Sequence, residues 1–258
     1  MLMLHFGAPS MTPQQIVEKL ISDNPSLHIL SEEHADLLNS LGVAVKPGAA
    51  NHAVPADVLR YIASLIKPDH VTIETGGGHS TVVFAALARH HTCVTPDSSN
   101  VELTREYLSR VGIPPERVTF IVEKSEKAIP NLPEVETFDF AFIDGNHAWP
   151  IAHVDFTNLD RRLKVGGIMG FDNIEIPAVW DLCMGLERNQ TYRFEKQILF
   201  PPAGRRYGAR FYSKLVDDGR ETLKQPFNLR PARKLTLRER LTELRHPNPN
   251  PKFWPWDY

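Results

Sequence analysis

Three consecutive glycines, Gly76-Gly77-Gly78, separate a β-rich run, Val71-Thr72-Ile73-Glu74, from an apolar stretch of helical character at 80–88. Glycine lets the backbone turn sharply and approach a neighbour closely. A helix beginning just after such a turn aims its free N–H groups at whatever lies above it. The turn therefore calls for an α/β layout in which strands feed helices through tight loops. From Pro68 onward the chain keeps that rhythm. Runs at 92–95, Val118–Val122, Phe138–Ile143 and 168–171 read as strands, with helices at 99–111, 125–129, 151–163 and 176–186 between them. Strands alternating with helices imply a parallel sheet covered on both faces, and their near-continuous apolar character agrees. Ser99 and Glu102 have capping-box spacing. Gly112 and Gly166-Gly167 stand where the helices should stop. Tyr192–Phe200 and Tyr207–Lys214 flank Pro201, Pro202 and Gly204, which predicts a hairpin and hence an antiparallel pair at the end of the sheet.

On either side the texture differs. Thr12-Pro13 has the form of an N-cap followed by proline in the first helical position, with Ile16, Leu20 and Ile21 on one face. A second helix is expected from Ser31 through Leu37, Leu38 and Leu41, and a third over 55–66 with Val58, Leu59, Ile62 and Leu65 at helical spacing. Past 216 come an Arg- and Leu-rich stretch, with a short helix expected at 235–244, and then Pro247, Pro249, Pro251 and Pro255, a run that cannot be helical. Trp254 and Trp256 beside those prolines suggest docking on something apolar. The organisation read from this is an N-terminal helical segment at 11–54, an α/β domain at 55–215 and a Pro/Arg-rich tail at 216–258.

At 258 residues with 42% hydrophobic content the chain can bury a sizeable core. A formal net charge of −2 leaves no electrostatic footprint for nucleic acid or for an anionic membrane surface, so neither is an expected partner. No stretch approaches the ~18–20 apolar residues that span a bilayer, and the first ten residues lack a secretory n-region. Cys93 and Cys183 lie in apolar runs and read as buried thiols. A reducing, cytoplasmic setting is the expectation.

The ligand of the glycine turn can be narrowed. In a dinucleotide fingerprint the third glycine would fall on Thr81, and the acidic residue expected ~20 positions later would fall awkwardly near Thr95 or Asp97. A phosphate-binding P-loop needs a lysine that is absent. Ile73-Glu74-Thr75-Gly76-Gly77-Gly78-His79-Ser80-Thr81 instead resembles motif I of class I S-adenosylmethionine-dependent methyltransferases. Phe138-Asp139-Phe140-Ala141-Phe142-Ile143-Asp144-Gly145-Asn146-His147 resembles the F-D-x-x-F-I-D-G-x-H segment of a subgroup that includes metal-dependent and small-molecule O-methyltransferases. Lys164-Val165-Gly166-Gly167-Ile168-Met169-Gly170-Phe171-Asp172-Asn173 resembles that subgroup's following motif. The likeness spans roughly 55–215.

The resemblance implies a Rossmann-like doubly wound sheet of seven strands, the last antiparallel, preceded by the helical segment. It implies S-adenosylmethionine held by Glu74, Thr75, Gly76, Gly77, Gly78, Ser80 and Asp144. Thr95 stands where the family usually has an acidic residue for the ribose hydroxyls, with Asp97 two residues on as a substitute, and Ser125 stands where adenine is contacted. Asp144 and His147 are the catalytic candidates, His147 as a base for the acceptor proton. Asp144, Asp172 and Asn173 match metal-holding positions, and magnesium would suit oxygen ligands. Trp149 and Trp180 either line an acceptor pocket or pack in the core. His79 is expected to face solvent, and Asp155 to be structural. The expected activity is methyl transfer to a small-molecule acceptor, with oxygen ahead of nitrogen, in a fold that often forms homodimers. A catalytically inactive methyltransferase-like binding protein is one alternative, favoured by Thr95 and by the neutral Asn173. A nicotinamide-dependent dehydrogenase is the weaker one.

Overall fold

A computed structural model of the chain describes residues 11–30, 48–50, 54–189, 191–200 and 207–217. The expected helix at 31–41 and the whole tail past 217, including the 235–244 helix, Trp254 and Trp256, lie outside the described residues.

Helix α1 (Pro13–Asp23) starts as the sequence predicts. Thr12 caps it, and Gln15 returns the bond to the Thr12 N–H. After it, β1 (His28–Leu30) pairs antiparallel with β2 (Gly48–Ala50). The N-terminal segment is thus not purely helical, because three-residue strands carry too little periodicity to be read. Helix α2 (Ala56–Leu65) follows. The sheet then runs β3 (Val71–Thr75), α3 (His79–Leu87), β4 (His90–Thr95), α4 (Ser98–Arg110), β5 (Val118–Val122), α5 (Ser125–Ala128), β6 (Phe138–Ile143), α6 (Ile151–Asp160), β7 (Leu163–Phe171), α7 (Pro177–Asn189), β8 (Tyr192–Phe200) and β9 (Tyr207–Lys214).

The seven strands lie in the order β5-β4-β3-β6-β7-β9-β8. β3 to β7 are mutually parallel, and β9 runs antiparallel between β7 and β8. This is the Rossmann-like doubly wound arrangement with the last strand reversed. On one face α1 to α4 bury Leu20, Ile62, Phe84 and Tyr107 against Phe140, Phe142 and Phe211. On the other, α5 to α7 bury Ala128, Phe156, Leu159 and Leu182 against Ile73, Ile143, Phe171 and Tyr212. Both cysteines are buried and free, and burial pushes both thiols up, Cys183 to about 12. No described helix is long and apolar enough to cross a membrane.

Two local expectations are corrected. Helix α4 begins at Ser98, and its cap is Asp97, whose Oδ1 accepts from the Ser99 and Asn100 N–H groups. The proposed Ser99/Glu102 box therefore places the cap two residues late. Gly166-Gly167 do not end a helix but lie inside β7. The register between β6 and β7 jumps there, from Phe138↔Leu163 to Phe140↔Ile168. β7 advances five residues there while β6 advances two, so the extra residues form an irregular bulge. Gly166 takes φ +84°, and a side chain on Gly167 would come within 3 Å of the Lys164 carbonyl and of the Leu163 side chain.

Candidate functional site

In an open α/β sheet, ligands bind beyond the carboxyl ends of the strands where the strand order reverses. Here that point lies between β3 and β6. The backbone ladder continues past the strands: the Asp144 N–H donates to the Thr75 carbonyl, the Gly76 N–H to the Val94 carbonyl and the Asp172 N–H to the Ile143 carbonyl. The tips of β3, β4, β6 and β7 are thus tied side by side, with Gly76, Asp144 and Asp172 leaving the sheet together.

The glycine turn is shaped as much by protein as by any ligand. Gly76 has φ +81°, and a Cβ there would sit 2.2 Å from the Asp144 carbonyl oxygen. Gly145 meets the turn from the other side, where an added Cβ would lie 3.1 Å from the Gly76 nitrogen. At Gly77 a Cβ would strike the Cys93 sulfur at 2.8 Å. Gly78 is the N-cap of α3 with φ 155° and ψ −123°, and no side chain caps the helix from that position. The loop is a bare backbone edge in front of a helix N-terminus, which suits the polar end of a nucleoside-type cofactor.

A buried relay lies beneath it. Thr81 Oγ1 accepts the Gly78 N–H at 2.9 Å and donates its own proton to Glu74 Oε1. His91 Nε2 is 3.1 Å from the same oxygen, and its Nδ1 is 2.8 Å from the Thr72 hydroxyl. Glu74 and His91 are both fully buried, and Glu74 Oε2 has no hydrogen-bond partner. Glu74, read from the sequence as a cofactor residue, therefore serves first as the anchor of the glycine turn. His91 gave no sign in sequence, because an isolated histidine in a strand has no motif.

The remaining candidates separate. Thr95 is buried, and its hydroxyl accepts from the Asp97 N–H at 3.4 Å. Asp97 commits one carboxylate oxygen to the α4 cap, which competes with a ribose role. Ser125 donates to Asp155 Oδ2 at 2.9 Å. Asp155, fully buried on α6, has its carboxyl pushed up to about 6 by burial, against the pull of the Ser125 hydroxyl. Ser80 is buried in the first turn of α3. His79 is buried as well, 2% exposed, which corrects the solvent-facing expectation. Helix α3 is enclosed between the sheet and α1, so it has no solvent face.

At the tips of β6 and β7, Asp144 and Asp172 are close enough for their charges to interact, and each carboxyl is held above the usual carboxylate range. Burial is the main cause for both. The Asp172 charge adds to it for Asp144, and the Glu175 charge for Asp172. His147 Nε2 lies 3.8 Å from Asp144 Oδ1. Burial lowers the imidazole to about 4, so it is neutral at ordinary pH and only weakly basic. Asn173 adopts φ 52°, and its Nδ2 donates to Glu175 Oε1, which leaves the amide oxygen as its acceptor end. Among the described residues no three His, Cys, Asp or Glu side chains gather into a metal cluster. The set at this tip is two carboxylates and an amide, hard oxygen donors of the kind magnesium takes. The two tryptophans part company. Trp180 is core, with the Arg210 guanidinium 4.2 Å from its ring centre. Trp149 is 75% exposed in the loop after β6, two residues from His147.

Residues 73–174 match a family model described as "Methyltransferase domain". Comparison with curated proteins finds no match. Among solved structures, one similar chain is a Klebsiella pneumoniae protein assigned as an O-methyltransferase, with TM-score 0.60 and 17% identity over 83% of this chain and 93% of that one. Another is the O-methyltransferase TomG of Streptomyces achromogenes in complex with S-adenosylmethionine, with TM-score 0.56 and 18% identity over 80% of this chain and all of that one. A third is an rRNA methylase of Streptococcus thermophilus, with TM-score 0.50 and 18% identity over 65% of this chain and all of that one. At these identities the likeness is one of fold.

Proposed function

Residues 73–174 match a methyltransferase-domain family model, and from that likeness we propose that the chain moves a methyl group from S-adenosylmethionine to an oxygen of a small-molecule acceptor. The observation that carries the reading is the meeting of the Gly76 turn with the Asp144/Asp172 pair at the point where strand order reverses. S-Adenosylmethionine supplies an electrophilic methyl carbon on a sulfonium centre. The bare turn at Gly76, Gly77 and Gly78 and the first turn of α3 receive its amino-acid end. Thr95 or the uncommitted oxygen of Asp97 faces the ribose, and Ser125 the adenine. Most of the acceleration in such a displacement comes from aligning donor and acceptor, and the fixed strand tips supply that alignment.

The acceptor hydroxyl must also shed its proton as the C–O bond forms and the C–S bond breaks. His147, neutral and 3.8 Å from Asp144, is placed to receive a hydrogen bond, but its weak basicity makes it a poor sole base. Asp144, Asp172 and the Asn173 amide oxygen fit a magnesium ion, which would acidify a bound hydroxyl. Trp149 offers a flat wall at the mouth of the cleft, suited to an aromatic or sugar acceptor.

Calorimetric titration with S-adenosylmethionine, with and without magnesium, tests this. Binding that strengthens with magnesium in the native protein but not in Asp144→Ala is expected, followed by turnover on hydroxylated aromatic compounds. No binding of the methyl donor overturns the reading. Binding without turnover on any small molecule favours the inactive binding protein, and turnover on RNA alone moves the acceptor class.

A further inference from the structure

We propose that His91 is a positioning residue for the cofactor turn, acting through Glu74 and Thr81. The inference rests on the reading of the Gly76–Gly78 turn as the S-adenosylmethionine site. The chain of bonds is continuous. The Thr72 hydroxyl meets His91 Nδ1 at 2.8 Å, His91 Nε2 meets Glu74 Oε1 at 3.1 Å, Thr81 donates to that same oxygen, and Thr81 in turn accepts the Gly78 N–H at 2.9 Å. Phe84 of α3 stacks on the imidazole at 4.7 Å and 9°, fixing the ring plane. The consistent assignment has the Nε2–H donating to Glu74 and the Thr72 hydroxyl donating to Nδ1.

The reason this matters for binding lies in Glu74. Its side chain is fully buried, and both of its donors converge on one oxygen while the other oxygen has none. A buried carboxylate is costly unless its hydrogen bonds are made. The two donors on Oε1 are therefore what keeps it in place, and one of them is His91. Without it the carboxylate is held by Thr81 alone, and Thr81 is the group that fixes the Gly78 N–H. The turn would then have to be ordered at the moment of binding, at the expense of affinity.

The test separates positioning from packing. His91→Phe keeps a flat ring against Phe84 but removes the donor. His91→Gln restores an N–H near the Nε2 position without the ring. Tyr192→Phe removes a buried hydrogen bond to Asp160, far from the turn, and serves as the stability control. Dissociation constants for S-adenosylhomocysteine are measured by calorimetry alongside thermal melts. The expected result is a loss of about tenfold for His91→Phe, the scale of one hydrogen bond. Substantial recovery is expected in His91→Gln, with no loss in Tyr192→Phe even if its melting temperature falls. Thr72→Val, which frees the other side of the ring, should give a smaller loss. Equal affinity in all variants overturns the proposal, as does a loss in Tyr192→Phe matching that in His91→Phe. A native protein that ignores S-adenosylhomocysteine overturns the methyltransferase reading instead.

Discussion

Asp155 shows how much a single buried carboxyl can say about this site. It is fully buried on α6 and held at about 6, with burial outweighing the Ser125 hydrogen bond. In the unfolded chain an aspartate titrates near 3.9. Between those values the folded state holds the extra proton, so stability falls as pH rises from about 4 to about 6 and stays lower above that. Asp155→Asn removes this slope. Its unfolding free energy relative to the native protein should improve by up to about 3 kcal/mol between pH 4 and pH 7.5, as read by urea denaturation at both. A difference that does not change with pH would refute the assignment. His147 runs the other way: held down at about 4 by burial, it costs stability as pH falls below its unfolded value near 6.5. The two slopes partly mask each other in the native protein, and the Asp155 variant should expose the His147 slope. Neither shift was legible in the sequence. A residue's type shows that it can titrate, but only burial shows where, and Asp155 lay on a helix that looked merely structural.

At the scale of elements, the reversed strand β9 is held by a buried cation. Arg210 is 1% exposed, 2.7 Å from Glu187 on α7 and bonded to Gln197 on β8, with its guanidinium over Trp180. Removing one partner of a buried pair strands the other charge, at about 3–5 kcal/mol. Glu187→Ala should cost that much in urea denaturation, whereas the Glu187→Met/Arg210→Met double variant should recover most of it. Equal losses in both would mean that the pair contributes through packing and not through charge. The sequence showed the hairpin, with Tyr192–Phe200 and Tyr207–Lys214 read correctly from β-type runs and the prolines between them. It did not show that an arginine inside one run is core, because a lone charged residue in a strand normally marks the solvent face. β7 failed for a related reason. Gly166-Gly167 signals a break by type, and only the β6 register reveals that the break is a kink within a strand. The glycine turn and the strand ends before Asp144 and Asp172 were legible because glycines and apolar runs at fixed spacing mark where strands stop. The His91–Glu74–Thr81 relay was not, since its members come from three elements that meet only in the fold.

For the whole molecule, the question is whether the N-terminal segment belongs to the sheet or hangs from it. The sequence reading ends the N-terminal segment at 54 and starts the α/β domain at 55. In the structure, however, Ile16, Val17 and Leu20 of α1 share one buried cluster with Val58 and Ile62 of α2, residues 82–87 of α3, and Phe140, Phe142 and Phe211 of the sheet. Arg60 on α2 grips Glu18 on α1 through two bonds at 3.0 Å, but that pair is exposed and contributes little. The apolar cluster carries the attachment. The same α3 begins at the glycine turn, so α1 presses on the helix whose N-terminus faces the proposed cofactor site. Leu20→Ala, at a fully buried position, should cost about 2–5 kcal/mol and should lower the midpoint of a single unfolding transition seen by both tryptophan fluorescence and circular dichroism. If α1 were an appendage, the variant would instead split off an early transition and leave the main one unmoved. Saturating S-adenosylhomocysteine, at about a hundredfold over its dissociation constant, should return roughly 2.7 kcal/mol to native protein and variant alike. A smaller return in Leu20→Ala would mean that loosening α1 has disturbed the turn itself, which makes the N-terminal helix part of the cofactor site's support.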